Sequence, residues 1–506
     1  MKLGVGAVAA AFLASTLVAP IAGAAEQQTP MPNAPNAQVA PEALRLIDVW
    51  LESERAYRHI PALSAAIVQG DQTVFLAGYG TIDADHKVEA TGQTLYSICS
   101  ISKLFTTVGV MQQWESGKVS LDEPVTRYLP WASLKPLGQD SAPVTLRTLL
   151  THSSGLPRDF TTPYWAGPDF VFPTDEQVKA TLPEQTPLWP ASRRLLYSNV
   201  GLTLAGDALA AVAGVPYADY VKARVLEPLG MKDTYSSMPM ALYGKRLAVG
   251  WGSIDRTGQL ALLKPFQARG VTPAAGYVSS AEDLSRFASW QFRLLRTNTP
   301  EVLKASTLRD MQRVQFMEPD WSDAWGLGFY VWRAANQTYV GHDGACPGYK
   351  STLSLRPATE TAVIVLMTGM GDAGARASAL FEILDKRKGA ETRKSPDGQA
   401  VDLEAYAGLY SGQPWVSEIV VAPWAGGLAL LSLPAATPAK GLSLLKPAGK
   451  DTFQRIRDDG SDADLVRFER DGAGKVVGFT EYSTPHRRTG DLPSAGRTTP
   501  KPGAAN

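Results

Sequence analysis

Residues 386–400 read Lys-Arg-Lys-Gly-Ala-Glu-Thr-Arg-Lys-Ser-Pro-Asp-Gly-Gln-Ala. The stretch is charged and poor in apolar side chains, so it has nothing to bury and reads as a linker. The hydrophobic period differs on its two sides. Before it, over 42–385, helix-spaced apolar runs are mixed with short strands, an α+β pattern. After it, residues 417–421, 428–433, 452–456, 464–469 and 475–482 are short alternating runs. Gly426-Gly427 and Asp471-Gly472-Ala473-Gly474 supply turns between them. That rhythm predicts a small all-β barrel over 401–483. A chain of 506 residues with such a break folds as more than one domain.

The first 25 residues have the form of a signal peptide. Lys2 gives the charge, residues 5–21 the apolar core, and Ala22-Gly23-Ala24 the small-residue cleavage pattern. Ser15, Thr16 and Pro20 interrupt the apolar run, which is short for a membrane span. No cysteine follows the cleavage pattern, so a lipid anchor is not expected there. The expectation is a periplasmic or secreted protein with no membrane anchor after cleavage. Residues 26–41, rich in Pro, Gln and Asn, predict a disordered lead, and 484–506 a disordered tail. Apolar residues are 44%, charged residues 19% and the formal net charge is zero, which argues against nucleic acid as a partner.

The chemistry gathers at Tyr96-Ser97-Ile98-Cys99-Ser100-Ile101-Ser102-Lys103. Leu95, Tyr96 and Ile98 read as extended, and 100–117 as a helix. Residues three apart share a helix face, so Lys103 would lie beside the Ser100 hydroxyl. The helix start also offers free N–H groups and partial positive charge to a developing anion. Two further stretches follow at wide spacing: Leu196-Tyr197-Ser198-Asn199 before a helix, and Gly341-His342-Asp343-Gly344 before Ala345-Cys346-Pro347-Gly348-Tyr349. Around them stand Leu149-Leu150-Thr151-His152-Ser153-Ser154-Gly155-Leu156-Pro157, Pro228-Leu229-Gly230-Met231 and Ala274-Ala275-Gly276-Tyr277.

Over about 42–385 the chain resembles the penicillin-recognising serine hydrolases: class C β-lactamases, D,D-peptidases and their esterase relatives. The resemblance implies an antiparallel sheet flanked by helices, an all-helical subdomain and an acyl-enzyme mechanism with no cofactor. It implies Ser100 as nucleophile, with Lys103 and Tyr197 as the coupled groups that move its proton. Which of the two is the acylation base stays open at this level. Tyr197, with an unperturbed pKa near ~10, needs cationic neighbours to act as a base. The backbone N–H groups of Ser100 and Ala345 would form the oxyanion hole. Asn199 would donate its amide to a substrate carbonyl, and His342 and Gly344 would border the substrate. His342 stands where the lactamases usually carry lysine, and a histidine is a cation only near or below pH ~6.5. Asp343 stands where a small hydroxyl residue is usual, and strand alternation would let it face away. His152 reads as a structural core histidine. The C-terminal module resembles lipocalin-like domains attached to some of these hydrolases, and reads as a stabilising or oligomerising appendage.

The resemblance also places the only two cysteines, Cys99 and Cys346, next to the two oxyanion donors. Some carbapenem-hydrolysing class A lactamases, distant relatives, have a disulfide in the corresponding place. A Cys99–Cys346 bridge is therefore expected, with two buried free thiols as the alternative. No metal site is expected: the five histidines are scattered, with neither His-x-x-x-His nor Cys-x-x-Cys. The Pro- and aromatic-rich stretch 158–191 reads either as a loop packing on its own core or as a wall of the substrate pocket. The functional expectation is an exported hydrolase of a peptide amide, D,D-carboxypeptidase- or D-aminopeptidase-like. An esterase or weak β-lactamase on the same site, or a catalytically silent binding protein, are the alternatives.

Overall fold

The computed structural model describes residues 39–134, 137–138, 141–390 and 401–492. The expected signal peptide, nearly all of the lead, most of the linker and the end of the tail lie outside the described residues.

Eight strands form one antiparallel sheet. Their spatial order is Gln72–Gly80, Ala62–Gln69, Thr361–Thr368, Tyr349–Arg356, Gln337–Cys346, Tyr330–Ala334, Ala324–Trp325 and Phe316–Met317. The strands Ala62–Gln69 and Thr361–Thr368 are apolar on both faces because both faces are covered. Along Ala62–Gln69, residues Ala62, Ala66 and Val68 join one core, while Leu63, Ala65 and Ile67 join another. This is the two-residue alternation of a strand, doubled. One face meets the helix Ala281–Thr297, capped by the Ser280 side chain as its sequence predicts. The other meets the helices Pro41–Tyr57 and Ala373–Lys388.

The helical part packs around Ser102–Glu115, whose side chains are buried almost all round. A helix apolar all round belongs inside a protein. Gly109 lets it approach the helix Asn199–Ala213: a Cβ there would sit 2.5 Å from Leu209 Cδ2.

Three segments of this domain differ from what their sequence suggests. The apolar run 325–332, which reads as a single strand, is a tight hairpin, because Gly328 has φ +74° and a Cβ on Gly326 would sit 2.0 Å from the Met311 carbonyl oxygen. Residues 337–341 suggest a strand that ends at the third motif, but the strand runs on to Cys346, so the motif lies within it. The stretch 158–191 contains a helix, Asp175–Thr181, started by a Thr174–Gln177 capping box. Its aromatics Tyr164, Trp165 and Phe172 pack on one another and on Phe266, so most of it serves its own core.

The C-terminal module is a closed eight-stranded antiparallel barrel, Gly408–Ser411 through Thr484–Gly490. Five of its strands match the alternating runs. The strand Thr484–Gly490 corrects the expectation of a disordered tail from 484 and of a domain ending at 483. It pairs with Val476–Glu481 and with Gly408–Ser411 and closes the barrel. Its sequence, Thr-Pro-His-Arg-Arg-Thr-Gly, has no apolar alternation. The His486 ring fills the inward position, stacked on Phe479 at 4.6 Å.

The barrel interior is filled by side chains, among them Tyr406, Tyr410, Phe453, Phe468 and Phe479. Its outer face is also apolar. Val420, Ala422, Trp424, Leu431 and Leu433 share a core with the helices Pro41–Tyr57 and Ala373–Lys388. Trp50 Nε1 donates to the Ala435 carbonyl at 2.8 Å, and the Tyr57 hydroxyl donates to Glu418 at 2.8 Å. The barrel is thus packed onto the back of the large sheet.

Candidate active site

The short strand Leu95–Ser97 pairs with Val278–Ser280 and delivers the chain to a single 3₁₀ turn, Cys99–Ile101, that leads into the helix Ser102–Glu115. Ser100 is half-buried on that first turn, as its sequence predicts. The turn is bent by Cys99, whose φ of +51° is disfavoured for a residue with a side chain. Two contacts hold it against the strand Gln337–Cys346 and one against the neighbouring strand Tyr349–Arg356. Cys99 is bonded to Cys346, with Cα atoms 5.7 Å apart, so the expected disulfide is present. Ser351 Oγ donates to the Ile98 carbonyl at 2.9 Å. Gly344 allows the close approach, since a Cβ there would meet Ile98 O at 2.2 Å. The bend therefore faces the strand segment that carries Ala345.

Lys103 is fully buried. Its Nζ lies 3.0 Å from Ser100 Oγ, 2.8 Å from Asn199 Oδ1 and 2.8 Å from the Ala274 carbonyl. Burial pushes its pKa well below the usual lysine value, helped by Arg158 and opposed by Asp159. The partners fix what the neutral amine does. Two of them are carbonyl oxygens, which only accept, so they take its two N–H bonds. The remaining partner, the Ser100 hydroxyl, can donate, so the amine lone pair faces it.

Tyr197 is brought in by His152. Leu196 N donates to the His152 carbonyl at 2.7 Å, Ser198 N donates to His152 Nδ1 at 3.1 Å, and the two rings lie 4.2 Å apart. His152 is buried and held well below its usual pKa by burial and then by Lys103, so it is a neutral structural residue, as expected. Tyr197 lies near the Ser100 hydroxyl. Burial raises its pKa above the ordinary phenol value, with Ser100 and Arg158 opposing. Lys103 Nζ and Arg158 Cζ lie 4.8 and 5.4 Å from its ring centroid. Arg158 is the cationic neighbour that the sequence left unnamed; Lys103 is one only while protonated.

Asn199 is 2% exposed and occupied at both ends. Its Oδ1 accepts from Lys103, and its Nδ2 donates to Asp159 Oδ1 at 2.7 Å. An acceptor-only carboxylate on one side and an amine on the other fix the amide orientation. The expected donation to a substrate carbonyl is left to the second amide hydrogen; what Asn199 visibly does is hold Lys103. Asp159 Oδ1 also accepts from the Tyr164 hydroxyl at 2.6 Å and from Trp165 Nε1 at 3.0 Å. Neither Arg158 nor Asp159 was singled out in sequence. Their signal is a lone charged pair directly after Leu156-Pro157, at the head of an aromatic stretch.

His342 departs from expectation. It is 5% exposed, and burial, then Lys103, pushes its pKa down to about 3. Its Nδ1 lies 2.6 Å from the Asp343 carbonyl, which only accepts, so Nδ1 carries the proton and Nε2 the lone pair. It is therefore neutral through the ordinary pH range, and the idea of His342 as a cation near pH ~6.5 does not hold. Asp343 points to the other side of the strand, as alternation predicts, where Thr352 and Asp372 face it.

The family model described as Beta-lactamase matches residues 48–388, and the chain belongs to that family of serine hydrolases. Protein flp from Staphylococcus aureus (strain COL) is 26% identical over 327 residues, 63% of this chain and 62% of the relative. The chain thus spans about 62% of that relative's length. The D-amino acid amidase from Ochrobactrum anthropi SV3 superposes with a TM-score of 0.55 at 26% identity, covering 68% of this chain and 95% of that one. The octameric penicillin-binding protein homologue from Pyrococcus abyssi gives 0.59 at 24% identity, covering 87% of this chain and 99% of its own, and shows the fold alone.

Proposed function

We propose that this protein is an exported serine hydrolase that cleaves an amide bond in a short peptide through an acyl-enzyme on Ser100. The observation that carries the reading is the buried Lys103 amine, held by two carbonyl oxygens with its lone pair toward the Ser100 hydroxyl. Neutral Lys103 takes the hydroxyl proton as Ser100 Oγ bonds to the substrate carbonyl carbon. The oxyanion is stabilised by the N–H groups of Ser100 and Ala345. Tyr197, kept protonated by burial, gives its proton to the leaving nitrogen as the C–N bond breaks, and regains one from the Lys103 ammonium. Water then attacks the ester, losing a proton to the same groups, and releases the acid and the Ser100 hydroxyl.

The amide class is supported by the D-amino acid amidase, which has the same fold at 26% identity. Export is supported by the signal-like N-terminus and by the Cys99–Cys346 bridge, which an oxidising compartment sustains. Self-association through the barrel, whose Trp415 and Tyr482 are exposed, is tested by light scattering. A second reading, esterase, is favoured by the neutral His342, which supplies no fixed charge for an anionic substrate. A panel of D-alanyl amides against p-nitrophenyl esters, with a Ser100→Ala control, decides between them. Ser100-dependent amide turnover is the expected result; ester turnover alone would replace the amide reading.

A further inference from the structure

We propose that Arg158 recognises a carboxylate on the leaving group of the substrate and so determines which molecules this site cleaves. The inference rests on the hydrolase reading above and names its specificity.

The guanidinium is placed at the right partner. Arg158 Cζ lies 5.4 Å from the Tyr197 ring centroid, and its side chain is 67% exposed. Tyr197 is the group that protonates the leaving atom, so a charge held over its ring acts on the leaving half of the substrate. The backbone beneath is fixed. Asn199 N donates to the Arg158 carbonyl at 2.7 Å, and Ser198 Oγ donates to the Pro157 carbonyl at 2.7 Å. The side chain is guided but not used up. Its Nε faces Asp159 Oδ2 at 3.3 Å, and among the described residues its two Nη groups meet no hydrogen-bonding partner. A planar guanidinium whose Nη1/Nη2 edge is free is suited to a carboxylate.

The other cations near the site cannot serve. Lys103 is fully buried, and its nitrogen is committed to Ser100, Asn199 and Ala274. His342 is 5% exposed and presents a lone pair at Nε2, which accepts rather than donates. Arg194 is stacked over Trp189 at 5.3 Å and faces Glu318 at 3.8 Å. Lys350 pairs across the sheet with Ala345, on the strand face that also carries Asp343. Arg158 is thus the exposed cation on the Tyr197 side of the site.

Two substrates that differ only in leaving-group charge test this: the acetyl esters of 3-hydroxybenzoate and of 3-hydroxybenzamide. Both form the same acyl-enzyme, so any effect of Arg158 on Lys103 cancels in their ratio. The wild-type protein should prefer the carboxylate ester. In Arg158→Gln the ratio of kcat/KM values should fall about 10- to 100-fold, the range for a lost charge-assisted contact. Arg158→Lys should restore part of it, with the thermal midpoint unchanged in both variants. Ser100-dependent turnover with an unchanged ratio in Arg158→Gln would overturn this inference alone. No Ser100-dependent turnover of either ester would overturn the hydrolase reading and this inference with it.

Discussion

Inside the barrel, Tyr406, Phe453 and Phe468 meet edge to face, with ring centroids 4.8 to 5.5 Å apart, and one imidazole, His486, stacks on Phe479 beside them. At the active site, Lys103, His152, Asn199 and His342 occupy an equally buried region, and the Nε2 atoms of both histidines have no hydrogen-bonding partner among the described residues. The first arrangement is what stability alone selects. The second costs free energy, because polar groups are removed from water and only partly satisfied. A chain keeps such a region when it does chemistry, and here the result is an amine whose pKa burial holds well below the usual lysine value, beside a hydroxyl.

The contrast gives tests in order of size. Lys103→Met keeps the volume and removes the base. It should lower kcat/KM about 10²–10⁴-fold for any turned-over ester while leaving the thermal midpoint near or above that of the parent. A large loss of stability with activity kept would reverse the comparison. Phe468→Ala, in the barrel, should do the opposite: a loss of about 3–5 kcal/mol in unfolding free energy, with kcat/KM per folded molecule unchanged at 25 °C. Cys346→Ser lies between the two. It should cost about 2–4 kcal/mol in stability and also lower kcat, because the bridge holds the bend at Cys99. An unchanged kcat would make the bridge purely structural.

The smallest effect is in pH. Lys103 acts as the neutral amine, which exists above its depressed pKa, so kcat/KM should fall as pH drops through that value. Tyr197 acts in its protonated form, and its raised pKa puts the alkaline limb above the ordinary phenol range. His342 is neutral well above its pKa of about 3, so KM for an anionic substrate should be flat between pH 5 and 8. An inflection in KM near pH 6.5 would show that His342 carries charge after all.

Much of this was legible in the sequence because its signals are local. Ser100 and Lys103 are one helical turn apart, Ser280 precedes a clear apolar helix, and Gly70-Asp71 marks a hairpin. The disulfide came from two motifs expected to meet at one oxyanion. What escaped depended on partners far along the chain. Asp159 is an ordinary loop carboxylate until Asn199 and Trp165 close on it. The final barrel strand hid because His486, not an apolar residue, fills its inward position. The hairpin at 326–329 escaped because an apolar run with two glycines reads as one strand, and the carbonyl of Met311 that forbids it comes from another element.

The central claim is that Ser100 is acylated because Lys103 beside it is a neutral base. Intact-mass analysis after rapid acid quench of a p-nitrophenyl ester reaction, followed by peptide mapping, tests it directly. The account predicts one acyl group, on the peptide containing Ser100, absent in Ser100→Ala and strongly slowed in Lys103→Met. Undiminished turnover in Ser100→Ala, or an adduct on any other residue, would contradict it.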